Sequence, residues 1–201
     1  MNQKIKYGII GTGLMGREHI SNINLIEEAE IIAISDTCEN SLNETKSLLN
    51  NDIKIYSDYN QIFNINEIDA FIIATPNFTH NEIVKKALNT KKHILVEKPL
   101  CSKLEDCMEL KKISSEYPSI IWVAMEYRYM PPIQKMLEEI NKKEIGKLQM
   151  LSIREHRFPF LKKVDDWNRF QINTGGTLVE KCCHFFDLMR LITKSEAVQV
   201  Y

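Results

Sequence analysis

Residues 8–16 read GIIGTGLMG, and their reading decides the fold. Gly11, Gly13 and Gly16 stand directly behind the apolar run Tyr7, Ile9, Ile10, the pattern of a buried strand that turns sharply into a helix. In such a turn the first glycine permits the bend, the second lets backbone approach a pyrophosphate, and the third lets helix and strand pack closely. Leu14 and Met15 then open the helix, whose free N–H groups and positive dipole end attract phosphate. A glycine turn alone is common and often binds nothing, so its surroundings decide. Residues 14–27 have helical spacing, residues 30–35 read as a second strand, and Asp36 closes that strand. The carboxylate lies about 20 residues past the turn, where it would accept hydrogen bonds from ribose hydroxyls. Aspartate is equally at home in a turn or a cap. Thr37 and Cys38 follow, with no arginine near to pair a ribose phosphate, so the residues favour NAD over NADP.

Further along, apolar strands at 53–56, 70–74, 93–97 and 120–124 alternate with helical segments at 42–49, 80–88 and 104–115. Runs such as Ala70-Phe71-Ile72-Ile73-Ala74 are apolar without alternation, as strands buried on both faces are. The expected fold class is α/β: a doubly wound parallel sheet of the Rossmann kind over residues 1–124. Past residue 125 the rhythm changes to a helix at 132–141, a strand at 148–154, an aromatic and charged loop, and a helix at 177–193. Residues 125–201 therefore read as a separate, partial α+β unit with an open sheet.

Ligands of an open parallel sheet bind outside the carboxyl ends of its strands, and two such ends carry unusual chemistry. Thr75, Pro76 and Asn77 end one strand, with His80 opening the next helix; they suit contact with a cofactor and equally suit stopping a strand and capping a helix. Glu97, Lys98 and Pro99 end another. Lys98 at that rim is placed to hold a substrate hydroxyl or carbonyl beside a nicotinamide, although a strand-end lysine ordinarily swings into solvent. In the last helix Glu180, His184 and Asp187 share one face of an otherwise apolar segment. His184 there is either a proton acceptor for a hydroxyl, with Glu180 orienting it, or a satisfied core histidine.

Composition excludes more than it assigns. The 201 residues carry a net charge of −1, which gives no basic surface for nucleic acid or an anionic membrane. No apolar stretch approaches the roughly 20 residues of a membrane span. The first strand begins too near Met1 for a cleavable signal peptide, and the five cysteines are irregularly spaced. A cytoplasmic setting is the expectation. Cys182, Cys183, His184 and His156 lack zinc-ligand spacing, so no metal is expected. A methyltransferase with a similar glycine turn would leave Lys98 and His184 unexplained.

In their order and spacing these segments resemble the Gfo/Idh/MocA family, that of glucose-fructose oxidoreductase, inositol 2-dehydrogenase and their relatives. The resemblance rests on Gly11/Gly13/Gly16, Asp36, Thr75-Pro76-Asn77 with His80, Glu97-Lys98-Pro99, and Gly175-Gly176 leading to Glu180 and His184, and it runs over essentially the whole chain. It implies an NAD(P)-dependent dehydrogenase or reductase acting on sugars, cyclitols or related polyols, with Lys98, His184 and Glu180 as catalytic residues. The cofactor set it implies is Gly11, Gly13, Leu14, Met15, Gly16, Asp36, Thr75, Pro76, Asn77, His80, Glu97 and Lys98. It also implies a cis Lys98-Pro99 bond and a homo-oligomer for the full-length family. Two departures stand out. Glu180 replaces the usual Asp, with Lys181 and Cys182 where small residues are common. The family continues beyond position 201, so the C-terminal domain is expected to be partial, its oligomer doubtful, and NAD binding more secure than turnover. A non-enzymatic NAD-binding fragment or regulatory protein is the competing reading. Arg128, Arg157 and Trp167 are the candidate substrate contacts, the arginines for an acidic group and Trp167 for a sugar ring.

Overall fold

Isoleucine builds the sheet. The computed structural model describes residues 4–49, 53–144, 146–156, 158–159 and 161–201. Six strands form in it: β1 (Ile5–Ile10), β2 (Ala29–Ser35), β3 (Lys54–Tyr56), β4 (Ala70–Ile73), β5 (His93–Val96) and β6 (Ile121–Val123). β-Branched side chains suit the pleat, and alternate residues serve opposite faces. Ile9, Ile31, Ile34 and Ile72 pack on one side with Ile20 and Ile23. Ile10, Ala33, Phe71, Ile73, Ile94 and Val96 pack on the other with Ile83, Val84 and Leu110. Both faces are therefore buried, which is why the strands read as unbroken apolar runs.

Every strand pair is parallel, in the order β3-β2-β1-β4-β5-β6. The chain winds outward from β1, then crosses back to β4, so the order reverses between β1 and β4. At that reversal the loops after β1 and β4 diverge to opposite faces and leave a crevice. Helices α1 (Leu14–Ile23), α2 (Glu39–Thr45), α3 (His80–Leu88) and α4 (Leu104–Ser114) make the crossovers. The fold is the α/β, Rossmann-type arrangement expected from the glycine turn. The first two helices are shorter than their periodicity suggested, because α1 gives way to turns at Asn24 and α2 to a 3-10 turn over Lys46–Leu48.

Past β6 the chain enters a 3-10 turn (Glu126–Tyr129) and α5 (Pro131–Asn141), with proline at its start where a missing N–H costs nothing. A second 3-10 segment (Val164–Arg169) leads to α6 (Gln171–Thr174), α7 (Thr177–Glu180) and α8 (Cys183–Thr193). Two expectations fail here. Residues 148–154 form no strand, since no described segment lies alongside to pair with them and an unpaired strand has no partner for its backbone groups. The helix expected over 177–193 is broken after Glu180: the Thr177 carbonyl accepts from both Lys181 and Cys182, so the ladder slips by one residue before α8 resumes. Glu180 and His184 thus lie on different helices rather than one turn apart on a single face.

Candidate functional site

The crevice opens into a cleft of about 720 Å³ that reaches from the glycine turn to the start of α8. Its floor is made by backbone. Gly11 has φ +91°, a left-handed value, and a side chain there would meet the Ala74 carbonyl at 2.7 Å. A Cβ on Gly16 would sit 2.0 Å from the Gly11 oxygen. At Gly13 the same Cβ would meet nothing within 4 Å, so the turn leaves room above its second glycine. Gly13 caps α1 without a side-chain bond, and the first turn of α1 carries no acidic residue. Its N–H groups are available to an anion. Leu14 and Met15 line the cleft; Gly16 lies behind it, pressed on Gly11.

Asp36 stands on the rim with its carboxylate already engaged. Oδ2 accepts from the Thr12 N–H at 2.6 Å and from the Thr12 hydroxyl at 3.2 Å, and Oδ1 accepts from Cys38 N–H at 2.8 Å. The acid at the end of β2 therefore holds the glycine turn in shape, and Oδ1 keeps a further lone pair for a ligand. Thr37, Cys38 and Ser41 line the cleft beside it, with no arginine.

After β4, Thr75, Pro76 and Asn77 line the opposite wall. Asn77 is buried, and its Nδ2 has no hydrogen-bond partner among the described residues. A buried amide in that condition is a donor awaiting a ligand or water. His80 lies outside the cleft. It is fully buried, with Nδ1 2.9 Å from the Pro99 carbonyl and Nε2 3.0 Å from the Thr75 carbonyl, and so ties the two strand-end turns together from behind.

Glu97 and Lys98 close the floor. Burial pushes the Glu97 carboxyl up, but the His19 imidazole, 2.8 Å from Oε1, and the Lys98 charge hold it below the usual carboxylate range. The Lys98-Pro99 bond is cis. Lys98 Nζ donates to the Glu180 backbone carbonyl at 3.2 Å, which joins the sheet to the helical segment. Glu180 is among the residues that line the same cleft.

His184 is 1% exposed, its ring stacked on Tyr127 with centroids 4.1 Å apart and planes 7° from parallel. Its Nε2 faces Glu126 Oε1 at 3.4 Å rather than Glu180, and its Nδ1 has no partner among the described residues. The partner expected to orient the imidazole was Glu180; the break before α8 turns His184 toward the end of β6 instead. Tyr127 is fastened in turn: its hydroxyl donates to Glu155 Oε1 at 3.0 Å and accepts from the buried Lys181 ammonium, which also pairs with Glu155 Oε2 at 3.2 Å.

Arg128 does not line the cleft. Its guanidinium forks onto Asp187, with Nε donating to Oδ2 at 2.5 Å. Trp167 lines the cleft edge-on to Phe78, and Arg157 lies outside the described residues. Sequence reading missed Glu126, Lys163 and Lys181, all cleft-lining. Glu126 opens the 3-10 turn just past β6, two residues after Ala124, so a strand-end rule extended by one turn would have found it. Among the described residues no group of three acids, histidines or cysteines could hold a metal ion, and no helix is long and apolar enough to cross a membrane.

Burial, then the nearby Lys98 and Lys181 charges, bring the His184 imidazole down to about 4. Burial also lowers His80. Unfolded histidine takes its proton near pH 6.5, so between about pH 6.5 and 4 the unfolded chain binds protons that the folded chain refuses. Stability is therefore full above that window and falls as pH drops through it, by on the order of 3 kcal/mol for a displacement of this size at one site. Urea melts at pH 7.0 and 4.5 should show the loss, and His184→Asn should shrink it.

A profile described as "Oxidoreductase family, NAD-binding Rossmann fold" matches residues 5–125, and one described as "Oxidoreductase family, C-terminal alpha/beta domain" matches residues 137–200. The chain is 31% identical over its whole length to the uncharacterized oxidoreductase YrbE of Bacillus subtilis, and 29% identical over 98% of its length to a myo-inositol 2-dehydrogenase of Thermotoga maritima. It spans 57% of the length of each of these relatives. Among solved structures, that of a "probable dehydrogenase" from Thermotoga maritima superposes with a TM-score of 0.80 at 28% identity, covering 96% of this chain and 56% of that one. The scyllo-inositol dehydrogenase of Lactobacillus casei with bound NAD(H) and scyllo-inositol has the same fold, at a TM-score of 0.78 and 21% identity over 96% of this chain and 57% of that one.

Proposed function

The chain belongs to the Gfo/Idh/MocA oxidoreductase family, and on that premise we propose that it is the cofactor-binding and catalytic part of an NAD-dependent dehydrogenase acting on a hydroxyl or carbonyl carbon of a polyol, cyclitol or sugar. One observation carries the reading: the open glycine turn, the Lys98 ammonium and the His184 imidazole line one cleft. The empty space above Gly13, the uncapped start of α1 and the unpartnered Asn77 amide suit a dinucleotide. Gly11, Gly13, Leu14 and Met15 would take its phosphates, Asp36 its adenosine ribose, and Thr75, Pro76 and Asn77 its nicotinamide half. NAD, once bound, accepts or returns the hydride.

The protein's own residues hold the reacting carbon and move the proton. Lys98 donates a hydrogen bond to the substrate oxygen and stabilises negative charge developing there. His184, neutral at pH 7 because it is brought down to about 4, is free to take the hydroxyl proton. The Lys98 charge also favours the ionised form of the substrate oxygen, which eases loss of the hydroxyl proton. Trp167 offers an apolar face to a ring. The myo-inositol 2-dehydrogenase relative suggests cyclitols as first substrates.

Calorimetric titration should give NAD binding at least tenfold tighter than NADP, because a 2′-phosphate would meet the Asp36 carboxylate in a cleft that no arginine lines. Equal affinity would overturn the cofactor preference. A panel of inositols and sugars with NAD, followed by nicotinamide absorbance, tests the reaction; NAD binding without turnover of any member favours the non-enzymatic reading.

A further inference from the structure

His184 is 1% exposed and reaches open space only through the cleft, which a bound substrate would fill, yet a dehydrogenation delivers one proton to it in every cycle. That proton needs a way out. Glu126 lies against the imidazole: its Oε1 is 3.4 Å from Nε2, its side chain is 51% exposed, and both residues line the cleft. The other charges that act on the ring are cations or already engaged. Lys98 and Lys181 are cations that repel a charged imidazole. Asp187 is held by Arg128, Glu97 by His19, and the Tyr127 hydroxyl by Glu155 and Lys181.

We propose that Glu126 relays the proton of His184, carrying to solvent the proton that His184 takes from the substrate hydroxyl. The inference rests on the dehydrogenase reading above and adds a residue to it. The O–H bond of the substrate breaks with its electron pair left on oxygen, and an N–H bond forms at Nε2. That N–H bond then breaks, the proton joins Glu126 Oε1, and water takes it from the exposed carboxyl. Nothing is oxidised or reduced in these steps, and the ring returns to its starting tautomer. The electrostatics suit the transfer. Burial, then the Glu97 charge, raises the Glu126 carboxyl above its ordinary value while His184 is brought down to about 4, so transfer from the imidazolium to the carboxylate runs in the favoured direction.

The first test needs neither substrate nor cofactor. The imidazole resonances of His184, followed by NMR from pH 3 to 8, should show two inflections in the wild type, its own and that of Glu126, and one in Glu126→Gln. Identical curves would overturn the proposal. The second test uses a substrate found in the polyol panel. Glu126→Ala should lower kcat about 10- to 100-fold, at or below the low end for losing an acid–base group because His184 still meets the substrate, with KM and NAD affinity within threefold. Added formate should restore part of the loss, and Glu126→Asp should keep more activity than alanine. An unchanged kcat in Glu126→Ala, or a loss that formate does not relieve, would overturn the relay. Were the wild type inactive on every polyol, the dehydrogenase reading would fall while the NMR curves still decided whether Glu126 and His184 share a proton.

Discussion

Lys98→Met is expected to lower turnover about a hundred- to a thousandfold while NAD affinity stays within tenfold of the wild type, the effect of removing the donor that stabilises charge on the substrate oxygen. Methionine matches the length of the lysine stem and leaves β5 and the packing of Val96, which is fully buried, undisturbed. What goes is the ammonium. With it goes the hydrogen bond to the Glu180 carbonyl and one of the two positive charges that lower His184. His184 should then titrate higher than about 4, so the acidic limb of the pH–rate profile should move toward neutrality as the rate collapses. A lysine that merely swung into solvent would produce neither change. Equal turnover by wild type and Lys98→Met would remove Lys98 from the mechanism. A parallel loss of NAD binding would make it a cofactor contact alone.

The sheet was legible because its determinants are local. Residues buried on two faces give apolar runs, glycines with forced conformations give the first turn, and one carboxylate ends β2. The sequence placed all six strands to within a residue or two at each end. The site was legible in its strand-end residues for the same reason: Thr75, Asn77, Glu97 and Lys98 sit at positions that the topology alone brings together. The helical segment was harder. An apolar pattern over 177–193 fits one helix, and nothing local reveals that the Lys181 ammonium is drawn to Tyr127 and Glu155, residues 54 and 26 positions earlier in the chain. That long-range network accompanies the break before α8 and the pairing of His184 with Glu126 instead of Glu180. Arg128 went the same way: a cation near the cleft in sequence terms is taken up by Asp187, 59 residues on. His80 shows the converse, a motif residue whose place is behind the site, where its ring bridges the two turns that face the ligand.

Gly13→Val should leave the fold intact and weaken NAD binding at least a hundredfold, about 2.7 kcal/mol. Gly13 has φ −65°, which any residue adopts, and its Cβ position is open on all sides within 4 Å. The fold therefore has no use for a glycine there. Losing glycine at a helix cap costs at most about 1 kcal/mol. A dinucleotide has every use for it, because an isopropyl group in that space keeps the pyrophosphate away from the N–H groups of α1. Gly16→Ala makes the opposite pair. Its methyl would lie 2.0 Å from the Gly11 oxygen, a backbone atom, so α1 must lift from β1 or the turn must open. That variant should lose stability first and binding as a consequence. Thermal melts with calorimetric NAD titrations on both variants separate the cases: a normal melt with absent binding for Gly13→Val, and a depressed melt for Gly16→Ala. Wild-type affinity in Gly13→Val would mean that the phosphates do not cross the turn, and the cofactor site assigned to it would have to be abandoned.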